Sequence, residues 1–129
     1  MLDDRIAQRH IVAIGGGGFS ADGSPGLDAY MLSLAGKDRP RVCYVPTAGG
    51  DSGDSLVLFY RTFHADRCRA TDLALVHRTV DDIRTFLLEQ DVIYVGGGNT
   101  ANMPAVWRVH GVDAILREAW AAGIVVGGS

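Results

Sequence analysis

Short apolar runs rich in β-branched residues alternate along this chain with segments of helical periodicity, and this alternation restricts the fold more than any other feature. The five apolar runs lie at residues 10–15, 41–46, 71–76, 91–95 and 124–126. The segments between them repeat apolar residues at the spacing of an amphipathic helix, and they lie at 27–34, 56–64, 80–89 and 102–122. Strands that alternate with helices predict an α/β fold, in which a parallel sheet is covered by helices on both faces.

Glycine clusters follow four of the predicted strands. The sequence contains 17 glycines, and the clusters lie at residues 15–18, 49–50, 96–98 and 127–128. In open parallel sheets, ligands bind outside the carboxyl ends of the strands. We therefore expect the glycine clusters to meet at one edge of the molecule and to form the functional edge.

Composition narrows the class of protein. A chain of 129 residues corresponds to a single domain or most of one, and its net charge of −3 argues against a nucleic-acid or acidic-membrane partner. No apolar run approaches the ~20 residues of a membrane span, and residues 1–5 lack the pattern of a signal peptide, so we expect a cytoplasmic protein. Cys43 and Cys68 lack metal-site spacing and are expected to be reduced thiols, with a disulfide or metal role as the alternative.

The segment Gly127-Gly128-Ser129 directly follows the apolar run Ile124-Val125-Val126. A buried strand that breaks into Gly-x-Ser is typical of the first half of a nucleophile elbow, which exposes a serine hydroxyl at the carboxyl edge of a sheet. Taken alone, the same three residues are also compatible with an ordinary turn or an expression remnant. The second half of an elbow, a small residue and then glycine, is not contained in residues 1–129.

The segment Gly96-Gly97-Gly98-Asn99-Thr100 follows the fourth predicted strand. Three consecutive glycines leave backbone amides bare, and such amides stabilise an oxyanion that lies ~3 Å away. A turn with a helix cap is the alternative interpretation. If strands four and five are neighbours, ~4.8 Å apart, these amides and the Ser129 hydroxyl share one site.

Other candidates carry weaker signals. Gly15–Gly18 is interpreted as a tight turn or a point of substrate approach, because the third glycine of a dinucleotide motif falls on Ser20 or Ala21. Asp51 and Asp54 follow strand two and are considered for substrate contact. The four histidines, at positions 10, 64, 77 and 110, have no metal-ligand spacing, so no metal or cofactor is expected.

Together, strand-GGGNT, two helices and strand-GGS resemble the dipeptidase E (aspartyl dipeptidase) family of serine peptidases, which also includes the cyanophycinases. The glycine loop 15–18 and the strand Tyr44-Val45-Pro46-Thr47-Ala48 resemble earlier segments of that family. The resemblance implies a three-layer α/β sandwich similar to the class I glutamine amidotransferases (flavodoxin-like), incomplete at its C-terminus. It also implies a nucleophilic Ser129, an oxyanion-hole amide at Gly98, and substrate binding by Asn99 and Thr100, without a cofactor.

In that family the catalytic histidine and its carboxylate partner follow the serine. We therefore expect residues 1–129 to be the N-terminal part of a single hydrolytic domain, completed by a C-terminal remainder of the same protein, either continuous with it or as a separate chain. The expected activity is hydrolysis of short peptides with an N-terminal aspartate through an acyl-enzyme, by a monomer or homodimer.

Three alternatives stay open at this stage. The first is a cyanophycinase-like or amidase specificity on the same site. The second is a non-catalytic flavodoxin-like domain that binds a nucleotide or another anion. The third is a pseudo-enzyme that keeps the elbow and lacks the base, since a serine hydroxyl is a poor nucleophile without one.

Overall fold

The computed structural model describes residues 8–15 and 25–129, so three of the four glycines of the first cluster, Gly16, Gly17 and Gly18, lie outside the described residues. Its strands are β1 (Ile11–Ala13), β2 (Arg41–Val45), β3 (Arg69–Asp72), β4 (Val92–Val95) and β5 (Val125–Gly128). They form one sheet in the order β1-β5-β4-β2-β3, and every neighbouring pair is parallel. The predicted parallel α/β architecture is confirmed.

Between residues 25 and 129, five helices connect these strands. They are α1 (Pro25–Ser33), α2 (Gly53–Thr62), α3 (Ile83–Leu88), α4 (Asn102–His110) and α5 (Val112–Ala121), and a short 3₁₀ turn, Thr47–Gly49, follows β2. Gly111 separates α4 from α5 with a φ of 72°, a left-handed conformation that glycine adopts without strain.

Each face of the sheet has its own apolar core. On one face α1 and α2 cover Tyr44 and Tyr94 of the sheet, and the Tyr44 ring packs against both Tyr94 and Phe59 of α2. On the other face α3, α4 and α5 cover residues that include Val45 and Ile93. Because the central strands are buried on both sides, they are almost entirely apolar, as the sequence predicts.

The register of β5 brings the two predicted functional segments together. Strand β5 lies between β1 and β4, and Val95 of β4 pairs with Gly128 of β5. The segments that follow β4 and β5 therefore leave the sheet side by side. The condition set by the sequence, that strands four and five are neighbours, is met.

Several elements are shifted from the positions that the sequence predicts. The second helix is predicted at 56–64 and is found at Gly53–Thr62. The third strand is predicted at 71–76 and is found at Arg69–Asp72, while the third helix is predicted at 80–89 and begins only at Ile83. The helix starts late because the side chain of Asp82 accepts a hydrogen bond from the Thr85 amide and so acts as its cap. None of the helices among the described residues has the length and apolar character needed to cross a membrane.

Candidate active site

Ser129 lies at the carboxyl edge of the sheet, directly after β5. Its backbone N–H donates a hydrogen bond to the carbonyl oxygen of Val95 at 3.2 Å, so the chain is still held against β4 at this residue. Ser129 is exposed to solvent, whereas Gly127, two residues earlier, is buried. The structure thus places the serine at the surface of the functional edge and not in the apolar core.

The approach of β5 to β4 depends on Gly128. Its φ is 152°, and a Cβ built there would lie 2.0 Å from the carbonyl oxygen of Val95. No side chain fits at that distance, so only glycine allows the backbone to turn outward here while staying against β4. The glycine that precedes the serine is therefore a geometric requirement of the bend.

Gly97 faces Ser129 across the gap between the two strands. A Cβ built on Gly97 would lie 3.2 Å from Oγ of Ser129 and 3.3 Å from its backbone oxygen. The GGGNT loop and the serine hydroxyl are therefore in the same place, and residues 97–100 are exposed like Ser129 itself. Within the described part of the chain, the N–H groups of Gly97 and Gly98 donate to no other protein group, which leaves them available to a ligand.

Gly98 is held against the turn that follows β2. Its φ is 145°, and a Cβ there would lie 2.2 Å from the carbonyl oxygen of Ala48. The next amide, that of Asn99, donates a hydrogen bond to the same carbonyl oxygen at 2.7 Å. The backbone of the glycine loop therefore rests directly on the 3₁₀ turn, and a side chain at Gly98 would separate the two.

The side chain of Asn99 has a structural role. Its Oδ1 accepts hydrogen bonds from the amides of Ala101 and Asn102, each at 2.9 Å, and so caps the start of α4. This cap is the alternative that the sequence left open for the segment. Thr100 is exposed beside it, and the Nδ2 group of Asn99 is the part of that side chain not used by the cap.

Sequence reasoning missed the residues that support the 3₁₀ turn. The indole Nε1–H of Trp107 donates to Oγ1 of the buried Thr47 at 3.0 Å, although the two residues are 60 positions apart. Asp51 has a φ of 56°, and its Oδ2 accepts from the amides of Leu75 and Val76 at 2.8 Å and 2.7 Å. Asp51 thus joins the loops after β2 and β3, while Asp54 is exposed in the first turn of α2.

The histidines lie elsewhere. His10 stands at the amino end of β1, where its carbonyl oxygen accepts from Val126, and His64 and His110 lie at the far ends of α2 and α4. His77 follows β3, which is separated from β5 by β2 and β4. The described residues contain no hydrogen bond between a histidine and Ser129.

Known proteins resemble this chain in sequence and in fold. The model of a family described as Peptidase family S51 matches residues 2–129. The chain is 45% identical over 121 residues to the uncharacterized peptidase YgaJ of Bacillus subtilis (strain 168), covering 93% of this chain and 53% of YgaJ. The resemblance drawn from the GGGNT and GGS segments is confirmed at the level of the family.

Two crystal structures share the fold. A protein provisionally named peptidase E, from Listeria monocytogenes EGD-e, superposes with a TM-score of 0.73 at 20% identity, over 94% of this chain and 58% of that one. A peptidase from an acI-B1 Actinobacterium superposes with a TM-score of 0.65 at 17% identity, over 92% and 52%. The chain spans little more than half the length of these relatives.

Proposed function

This chain belongs to Peptidase family S51, and from that premise we propose that it carries the nucleophile of a serine peptidase. In this proposal Ser129 attacks the carbonyl carbon of a short peptide with an N-terminal aspartate. The observation that carries the proposal is the exposed Ser129 hydroxyl beside Gly97, whose would-be Cβ lies 3.2 Å from Oγ.

The proposed reaction forms and breaks one bond at each stage. Oγ of Ser129 bonds to the carbonyl carbon while a general base takes the hydroxyl proton. The carbonyl oxygen becomes an oxyanion, and the Gly98 N–H donates a hydrogen bond to it. The C–N bond then breaks, the amine leaves with that proton, and water hydrolyses the acyl-enzyme by the same steps in reverse order.

We assign the base to sequence outside residues 1–129. A serine needs a base to accept its proton at neutral pH, and the positions of His10, His64, His77 and His110 give none of them contact with Ser129. The chain matches only 53% of the length of the relative YgaJ, so the unmatched part of such a protein is long enough to contain a general base. That remainder, in the same or a separate chain, is the proposed partner of the domain.

The proposed substrate class is supported by a different observation from the proposed nucleophile. Preference for an N-terminal aspartate is proposed from the sequence resemblance, and Asn99 and Thr100 are the exposed polar side chains beside the site that are assigned to substrate contact. Because Oδ1 of Asn99 caps α4, only its Nδ2 group is left for hydrogen bonding to a substrate carbonyl or carboxylate.

The test uses the protein expressed with any sequence that its gene encodes beyond Ser129. Hydrolysis of Asp-Leu is compared with that of Leu-Leu and of a cyanophycin-like β-Asp-Arg dipeptide, and a fluorophosphonate probe is mapped by mass spectrometry. We expect the probe on Ser129, and we expect Ser129→Ala to abolish both labelling and turnover while leaving the melting temperature unchanged.

The control is Ser33→Ala, which removes an exposed serine at the end of α1, at the other edge of the sheet. This variant should react with the probe and hydrolyse the substrate like the wild type. Turnover that persists in Ser129→Ala contradicts the nucleophile. Cleavage of β-Asp-Arg in preference to Asp-Leu replaces the substrate class with the cyanophycinase alternative. If the fluorophosphonate labels no residue and the protein binds a nucleotide or phosphate, the non-catalytic alternative is favoured.

A further inference from the structure

We infer that Thr47 and Trp107 are positioning residues that fix the oxyanion-binding amide of Gly98. The inference rests on the proposed function, because it concerns how the proposed site is kept in shape. Among the described residues, no hydrogen bond joins either of them to Ser129. Both act through the 3₁₀ turn Thr47–Gly49, on which the glycine loop rests.

The first step is the contact between the loop and the turn. The Cα of Gly98 packs so closely on the Ala48–Gly49 peptide that a Cβ would lie 2.2 Å from the carbonyl oxygen of Ala48 and 2.8 Å from the nitrogen of Gly49. The Asn99 amide is bonded to the same carbonyl at 2.7 Å. A displacement of the turn would therefore displace the Gly98 peptide with it.

The second step is the bond that holds the turn. Thr47 is the first residue of the turn, its side chain is buried, and Oγ1 accepts the hydrogen bond from the Trp107 indole at 3.0 Å. Trp107 belongs to α4, the helix that the glycine loop leads into. The glycine loop therefore contacts the 3₁₀ turn in two ways. It contacts the turn directly at the carbonyl of Ala48, and it is connected to Thr47 through α4 and the Trp107 hydrogen bond.

The other end of the turn is fixed independently. The Asp51 amide donates to the carbonyl oxygen of Pro46 at 3.0 Å, and the Asp51 carboxylate holds the amides of Leu75 and Val76. A left-handed φ of 56° is strained for a residue with a side chain, so these bonds must compensate for that strain. With Asp51 in place, loss of the Trp107 bond should loosen the turn at Thr47 without unfolding it.

The expected signature follows from the chemistry of an oxyanion hole. The Gly98 N–H would bind the charged oxygen of the transition state far more strongly than the neutral carbonyl of the substrate, so its displacement lowers kcat and leaves KM nearly unchanged. A residue that only stabilises the fold changes the melting temperature and the amount of active enzyme, and it does not change affinity for a transition-state analogue.

The experiment compares Trp107→Phe, Thr47→Val and Thr47→Ser with the wild type, in the protein expressed with any sequence its gene encodes beyond Ser129. Trp107→Phe and Thr47→Val each remove one partner of the hydrogen bond and keep most of the volume of the replaced side chain. Each should lower kcat about tenfold, the effect expected when one oxyanion donor is partly misaligned. The double variant should be no worse than either single one, because both lose the same bond. Thr47→Ser keeps the hydroxyl and should recover most of the lost kcat.

Trp120→Phe is the matched control, because Trp120 is the second tryptophan of the chain and lies on α5. It should keep wild-type kcat. Affinity for a peptidyl boronic acid, which binds the serine as a tetrahedral anion, should fall with kcat in Trp107→Phe and Thr47→Val, and melting temperatures should stay near the wild type.

Unchanged kcat and boronate affinity in Trp107→Phe and Thr47→Val would overturn the positioning role, and so would a loss in Trp120→Phe of the same size. The proposed function fails in a different way, through turnover that survives Ser129→Ala. Since the two results come from different variants, one can be refuted without the other.

Discussion

The hydroxyl oxygen of Ser129 occupies the space into which a side chain on Gly97 would project, with 3.2 Å between Oγ and the Cβ position of that glycine. A side chain at Gly97 is thus opposed by a neighbour from another segment and not by the backbone conformation of Gly97, since its φ is not among the positive ones. This distinction separates Gly97 from Gly98 and Gly128, which combine a positive φ with close contacts to the backbone.

Gly97→Ala should impair the proposed activity more than stability. The added methyl group meets a solvent-exposed serine that can move, so we expect the unfolding free energy to change by less than about 1 kcal/mol, as is usual for surface substitutions. A shift of the nucleophile by a fraction of an ångström to 1 Å should nevertheless lower kcat by about tenfold to a hundredfold. Steady-state kinetics and urea denaturation measure the two effects, and a loss of stability without a loss of kcat would contradict this interpretation.

Gly128→Ala should instead destabilise the fold. A Cβ 2.0 Å from the Val95 carbonyl oxygen forces β5 away from β4, and the φ of 152° disfavours any side chain. We expect a loss of about 3 kcal/mol or more in the unfolding free energy. Gly53→Ala is the matched control, because no heavy atom lies within 4 Å of its Cβ position, and urea unfolding of the two variants should differ sharply.

Asp28 should make stability depend on pH. It lies in the first turn of α1 and is only 1% exposed, and neither carboxylate oxygen is hydrogen-bonded to another described residue. Burial raises the pKa of this carboxyl above its ordinary value of 3.8, an effect that the charge of Arg67 partly opposes. The native state therefore binds the proton more tightly than the unfolded chain does.

The contribution of Asp28 to stability is accordingly present below pH 3.8 and is lost as the pH rises through the raised native pKa. The side chain at position 28 of the Asp28→Asn variant cannot ionise. The urea concentration at the midpoint of its unfolding should therefore increase relative to that of the wild type as the pH rises from 4 to neutrality. The exposed substitution Asp38→Asn should not produce that gain. A difference between Asp28→Asn and wild type that stays constant over this range would show that Asp28 does not titrate there.

Thiol reagents should leave the folded protein unmodified. Cys43 is fully buried, and its pKa is raised to about 12 by that burial. Cys68 is 1% exposed, and burial raises its pKa as well. Because the thiolate is the reactive form, iodoacetamide at pH 8 should label neither residue in the native state and both in urea. Rapid labelling of the native protein, with loss of peptidase activity, would point to a cysteine nucleophile in place of Ser129.

The order of strands and helices could be predicted because buried parallel strands are apolar throughout and the helices between them are amphipathic. The third strand shows where this signal fails. Leu73 and Leu75 are buried and extend the apolar run, but the amides of Leu75 and Val76 bond to the Asp51 carboxylate and not to a neighbouring strand. Hydrophobicity predicts that a residue is buried, but it does not predict which group accepts the hydrogen bond of its backbone amide.

The candidate site was predictable only in its local parts. Gly98 and Ser129 stand in short motifs whose chemistry can be read directly from neighbouring residues, and the structure places their two segments side by side. The bond between Trp107 and Thr47 joins helix α4 to the 3₁₀ turn after β2, and these elements meet only in the folded domain, so no local sequence pattern predicts it. The use of Asn99 Oδ1 as a helix cap was visible in the sequence as one of two interpretations, and the described hydrogen bonds show that the cap forms.

The position of β1 has a consequence for how the domain assembles. The first strand pairs with β5 among the described strands, Ile11 opposite Val126, so β1 has no partner among them until β5 has been synthesised. On the ribosome, β2, β3 and β4 can pair as soon as they emerge, whereas β1 must wait for Val125–Gly128. The strand that carries the serine is therefore also the one that joins the early and late parts of the chain, and we expect its insertion to be the last step of folding for these five strands.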